Sequence, residues 1–262
     1  MKSLEKLQLI ERDRMKRYFE KIVHIFAREF NGYFRTPLAS IFLLVFLALS
    51  AGMCFFMGQF FQRGQADLNS FFIWHPWLFL ILMPAIGMRL WAEERKSGTI
   101  ELLVTLPVTN SQLVVGKFLA SWTFTLIALV LTTPIWLTVN YLGDPDNLVI
   151  LISYLGSWLM AGCFLALTSC ISMLTKNQVI AFIISTICCF ILVMSGFGLI
   201  LSSVRSWAPI WVTETITSFS FLSHFKRIQF GVLDLTTLVF FISMIVICLW
   251  INIQLVQLKK AD

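Results

Sequence analysis

Glu93–Lys117, EERKSGTIELLVTLPVTNSQLVVGK, is the longest charged and turn-forming interruption between the hydrophobic segments of the chain. It is flanked by the apolar runs Phe71 to Trp91 and Phe118 to Leu142. Each of these meets the roughly 20 residues that a hydrocarbon core of about 30 Å requires. The stretch therefore reads as a small element held at a membrane surface. Ser97-Gly98 can end the helix arriving from the membrane, Thr99 can cap a new turn, and Glu101 favours that turn through the helix dipole. Leu106 is pushed out of the helical region by Pro107, so the short helix stops there. Thr109 and Gln112 have the spacing of a capping box, which restarts a helix toward the next apolar run. The result is a short helix carrying Ile100, Leu102, Leu103 and Leu106, able to lodge in a groove of another protein. A structured loop packed only on its own chain is the alternative.

Working outward, six apolar runs organise the chain: 38–61, 71–91, 118–142, 148–174, 179–201 and 235–258. Apart from Arg89 near one end, they hold no charged residue. Of the 262 residues 58% are hydrophobic and only 13% charged, and mean hydropathy is +0.83. A soluble domain carries about 25% charge, so the composition is that of a polytopic membrane protein. The net charge of +6 is explained by basic residues flanking the spans and calls for no nucleic-acid partner. All Lys and Arg except Arg63, Arg205, Lys226 and Arg227 fall on the side of the termini and of the 93–117 stretch. That asymmetry predicts cytoplasmic N- and C-termini.

Residues 1–36 lack the short basic region and apolar core of a secretory signal. Met15, Tyr18, Phe19, Ile22, Phe26, Phe30, Tyr33 and Phe34 recur at helical spacing opposite charged residues, which predicts an amphipathic interfacial helix ended by Thr36-Pro37. A helix in a soluble tail is the alternative. Gly143 to Asn147 reads as a tight turn on the far side. Residues 202–234 are too polar to cross, and their Trp and Phe content suits helices dipping into the outer leaflet or a plain interfacial loop. Pro84 and Pro134 predict kinks in the second and third spans. The pairs Ala48/Gly52 and Gly162/Ala166 permit close helix contact, either at a dimer seam or inside the bundle.

Several chemistries are excluded. The six cysteines lie inside apolar runs without a disulfide or zinc spacing, and His24, His75 and His224 are too scattered for a metal site and read as interfacial or loop residues. Gly116-Lys117 imitates the end of a phosphate loop, but Ser111 stands where the first glycine belongs and Phe118 where Ser or Thr is needed. No catalytic constellation is present. Charged groups at mid-depth, which proton-coupled carriers keep despite their cost, are missing as well.

Glu94-x-x-x-Gly98-Thr99-x-Glu101-x-Leu103, then Pro107 and Gly116-Lys117, resembles the signature between the second and third spans of ABC type-2 permeases. The closest look is to the gliding-motility-type branch. Ser223-His224-Phe225 and Gly231 to Leu235 resemble the same branch. The resemblance implies an all-α integral membrane fold with six transmembrane helices, an N-terminal interfacial helix, a cytoplasmic coupling helix and an outer re-entrant segment at 202–234. It implies an exporter permease in a bacterial inner membrane, with Glu94, Gly98, Thr99, Ile100, Glu101, Leu103, Leu106 and Pro107 coupling to the ATPase. His224, Phe225, Gly231 and Asp234 would form the outer re-entrant motif. Implied partners are a dimer of separate ATPase subunits, a second or related permease and membrane lipids. ATP and magnesium would be bound by the ATPase, with no cofactor on this chain. A non-transporting scaffold that recruits partners through the same loop is the rival reading.

Overall fold

The computed structural model describes residues 2–99, 107–206 and 208–261, and among them every regular element is helical. Helix α1 (Lys2–Phe34) ends where Pro37 opens α2 (Pro37–Gly52), which runs on through a π-helical turn, Met53–Met57. Short α3 (Phe60–Arg63) and α4 (Asn69–Phe72) lead to α5 (His75–Gly87) and α6 (Arg89–Ser97). Then come α7 (Asn110–Val130), α8 (Thr133–Leu142), α9 (Asn147–Leu174) and α10 (Gln178–Met194). Three short helices follow, α11 (Gly198–Arg205), α12 (Ile210–Ser218) and α13 (Phe221–Gln229), before α14 (Leu235–Ala261).

Among the described residues, five helical stretches are long and apolar enough to cross a membrane: Ala39–Arg63, Asn69–Ser97, Asn110–Leu142, Asn147–Leu174 and Leu235–Leu258. The fifth apolar run departs from the expected 179–201. It breaks after Met194, where Ser195 to Phe197 form a turn, and the 17-residue α10 rises only about 26 Å. Pro84 and Pro134 also act differently from each other. The second span is interrupted at Met88, one turn beyond Pro84. In the third span the turn comes first, at Leu131-Thr132, and Pro134 sits in the opening turn of α8, where its missing N–H costs nothing.

Helix α9 is the hub, packing against α5, α6, α7, α10, α13 and α14. Its sequence explains this. Ser153, Gly156, Ser157, Ala161, Gly162, Ala166, Ser169 and Ser172 are small and buried, letting neighbouring backbones come close where lipid supplies no hydrophobic drive between helices. A Cβ on Gly162 would stand 2.7 Å from Trp122 Nε1 and 3.0 Å from Ile245 Cδ1, so this glycine serves the internal bundle. Gly52 has nothing within 4 Å of that position and faces outward. Beside Gly162, Trp122 of α7 and Trp158 of α9 stack at 4.1 Å. Each indole N–H donates to the other residue's backbone carbonyl, at 2.9 and 3.2 Å. Such a stacked pair adds about 0.5–1.5 kcal/mol beyond its buried area.

His75 is fully buried rather than interfacial, enclosed by Phe71, Phe72 and Phe79, with Nδ1 2.8 Å from Ser157 Oγ. Ser157 Oγ itself donates to Ser153 O, so the imidazole is assigned as donor at Nδ1. The cysteines are all free, and no group of metal-ligating side chains occurs among the described residues.

Candidate functional site

The stretch that opens the sequence reading sits on two built shoulders. On its N-terminal side α6 ends at Ser97, and Gly98 takes the left-handed conformation (φ 72°) that a helix stop needs and that glycine adopts without strain. Ser97 Oγ donates to Glu93 O at 2.9 Å and lies 2.9 Å from Thr99 Oγ1, closing the turn. On its C-terminal side the expected capping box is present. Gln112 N donates to Thr109 Oγ1 at 3.3 Å and Thr109 N to Gln112 Oε1 at 2.8 Å. Of the residues expected to contact an ATPase, Ile100, Glu101, Leu103 and Leu106 lie outside the described residues; Glu94, Gly98, Thr99 and Pro107 form the shoulders.

What joins the shoulders is Lys117, whose side chain is 3% exposed. Its Nζ lies 2.6 Å from Glu94 Oε1 of α6 and 3.3 Å from Glu29 Oε2 of α1, so one ammonium ties three helices. The same Nζ stands 5.3 Å above the ring of Trp91, a cation–π distance. Arg28 closes the group by donating to Glu29 Oε1 at 2.7 Å. Burial alone would raise the Glu29 carboxyl, but the Lys117 and Arg28 charges outweigh it and hold its pKa below the ordinary value. Glu94 Oε2 is buried with no hydrogen-bond partner among the described residues.

Gly116 explains how α1 comes near enough. A Cβ there would meet Ile25 Cγ2 at 2.7 Å and Ile22 O at 3.3 Å, so α1 rests directly on the α7 backbone. Three further contacts fasten α1 to the start of α7. Lys21 Nζ donates to Pro107 O, Tyr18 Oη lies 3.0 Å from Ser111 Oγ, and Gln112 Nε2 donates to Tyr18 O at 3.3 Å. The other side of the joint reaches the hub. Interrupting the second span at Met88 leaves its carbonyl to accept from Ser172 Oγ at 2.7 Å, and that hydroxyl accepts from Trp91 N and Ala92 N at 3.2 and 3.0 Å. Trp91 Nε1 donates to Ser169 Oγ at 3.0 Å, Asn252 Nδ2 of α14 donates to the same oxygen, and Arg95 donates to Met173 O at 2.7 Å. A small apolar core of Ile25, Leu90, Trp91, Leu113, Val114, Met173 and Val256 fills the space between.

Glu29, Trp91 and Lys117 as a linked set were missed by sequence reasoning, which took Gly116-Lys117 as a family mark and a false phosphate loop. The available signal was a charge at the mouth of an apolar span, which needs a partner of opposite sign. Phosphate chemistry does not fit the lysine, because two carboxylates already engage it and the α7 amides are met by the chain's own capping box.

The four outer-motif residues gather at the opposite end. Phe225 is buried against the hub, and His224 stacks on Phe240 at 4.1 Å. Gly231 takes φ 76° with Val149 too close to allow a Cβ, and Asp234 lies 3.8 Å from Arg227 at the start of α14.

The family described as ABC-2 family transporter protein matches residues 68–253, from the start of the second span into the last. No curated protein gives a significant match. The match covers three of the five long apolar helical stretches in full, most of a fourth, and the shoulders at 93–99 and 107–117, and the chain belongs to the ABC-2 family of transporter membrane proteins.

Proposed function

We propose that this chain is the permease subunit of an ATP-driven exporter, and that the Glu29–Lys117–Glu94 joint passes motion from a separate ATPase into the membrane helices. The observation that carries the reading is the mounting of residues 100–106. The helix before them and the helix after them are tied to each other and to α1 by one buried lysine. A push on that stretch would reach α6 and α7 together rather than being lost in a loose loop. Through Trp91 and Ser172 it would then reach the hub helix.

In this reading both termini and the 93–117 stretch face the cytoplasm of a bacterial cell, α10 with its following turn completes six crossings, and 202–234 forms an outer re-entrant segment. The exposed side chains of Met15, Phe19 and Val23 suit α1 to lie in the lipid interface. Two permeases, identical or related, and two ATPase subunits holding ATP and magnesium complete the assembly, and we assign the chain to the gliding-motility-type branch. Engagement of Lys117 by carboxylates supports assigning ATP hydrolysis to the partner.

The test is reconstitution of the chain with its ATPase in lipid nanodiscs. Glu94→Gln should keep the complex together while cutting the stimulation of ATP hydrolysis by the permease at least severalfold. Full stimulation with Glu94→Gln would remove the joint from the coupling route.

A further inference from the structure

A cavity of about 970 Å³ lies at the end opposite Lys117, between α11, α12, α13 and the start of α14. That is the upper range for a small-molecule site. Its walls are of two kinds. Arg205 and Arg227 bring guanidinium groups, whereas Ile210, Val239 and Phe240 bring apolar surface. Ile210 and Val239 are themselves well exposed, so the apolar wall continues onto the outside of the bundle.

The polar groups sort by what each has left to offer. His224 adds no charge: burial lowers its pKa, its Nε2 donates to Ser218 O at 2.9 Å, and its Nδ1 faces Thr237 Oγ1 at 3.4 Å. The hydroxyls of Thr213 and Thr217 donate to carbonyls of their own helix. Among the described residues Arg227 has only a long pair with Asp234, at 3.8 Å and with both side chains about half exposed, which is worth little. Arg205 has no carboxylate within ion-pair distance among the described residues, although Glu214 lines the same cavity. Two cations that hold five N–H donors each therefore border this apolar-walled space, with Glu214 in its lining and Asp234 held only loosely beside Arg227.

The geometry points to a binding site for a phosphate-bearing amphiphile, with the phosphate between Arg205 and Arg227 and the apolar portion along Val239 and Phe240. Guanidinium forks match phosphate oxygens in pairs, and an apolar wall open to the bundle exterior lets a chain remain in the bilayer. Glu214 disfavours a second negative charge, so the site takes a singly charged phosphodiester before a phosphomonoester. This site does not depend on the coupling role of Lys117, and its loss leaves ATPase attachment unchanged.

The test is native mass spectrometry of the full chain in non-ionic detergent, titrated with dioctanoyl phosphatidylglycerol. Arg205→Gln/Arg227→Gln should weaken binding at least tenfold, Arg205→Lys/Arg227→Lys should recover part of it, and dioctanoylglycerol without the phosphate should not bind. Lys226→Gln removes the same charge from the same helix outside the cavity and should change nothing. Should the double variant elute as misfolded protein, Arg205→Gln alone, which breaks no ion pair among the described residues, should still lower binding about threefold. Competing inorganic phosphate separates the sources: release of the lipid assigns the site to a free anion, and retention assigns it to a lipid headgroup. Unchanged binding in the arginine variants, or an equal loss in Lys226→Gln, would overturn the proposal.

Discussion

At the residue scale, Lys117 shows what a buried charge does when its partners come from different helices. Desolvating an ammonium and two carboxylates is expensive, and removing one member is worse because the others stay buried without compensation. Lys117→Met should therefore lower stability by about 3–5 kcal/mol, read from the denaturation midpoint of the purified chain in mixed micelles. Adding Glu29→Gln and Glu94→Gln to the same variant should restore most of the loss, since the repelling carboxylates are then gone. A triple variant no more stable than Lys117→Met alone would show that the lysine stabilises through its stem and not its charge. The set was hard to read from sequence because the partners are far apart along the chain: Glu29 looked like one more charge on an amphipathic face, and Glu94 was read as a residue that faces an ATPase rather than one turned toward Lys117. Only the fold brings them to 3.3 and 2.6 Å.

At the element scale, the local signals were the legible ones. The stop at Gly98, the restart at Thr109 and the break between α1 and α2 at Thr36-Pro37 are decided by a few neighbouring residues, and all three stand where local chemistry places them. The end of the fifth apolar run was missed although Ser195-Gly196 repeats the dipeptide that ends a helix at Ser97-Gly98, because here it stands inside an otherwise apolar run. A tertiary reason is visible at Gly196, where a Cβ would collide with Ser220 Oγ. The interface between α1 and α7 gives the element-scale prediction. Gly116→Val would set a Cβ 2.7 Å from Ile25 Cγ2, an overpacking that costs about 1–3 kcal/mol, and should loosen α1. Trypsin cleavage after Lys21 or Arg28 should then quicken severalfold, whereas Gly52→Val, with open space around it, should cleave as the unaltered chain does.

At the scale of the whole molecule, the sequence already carried the fold class, since runs of about 20 apolar residues have few fates other than membrane helices. It did not carry which helix is central. That follows from the stripe of small side chains on α9, a pattern that has meaning only once its neighbours are in place. The charge asymmetry makes a separate prediction about orientation. In a background lacking the native cysteines, Asp144→Cys should react with an impermeant thiol reagent from outside intact cells, and a cysteine added after Asp262 should react only after lysis. The reverse pattern would invert the topology and put the Lys117 joint on the wrong side for an ATPase. The most direct measurement of the central claim is recovery of the tagged chain from its own membranes, followed by assay of the eluate for ATP hydrolysis. The unaltered chain should bring an ATPase with it. Leu103→Asp should yield inserted chain in normal amount with most of the co-eluting hydrolysis lost, because a charge at an interface anchor costs about 2 kcal/mol or more, about thirtyfold in affinity. Hydrolysis at the unaltered level with Leu103→Asp would contradict the account.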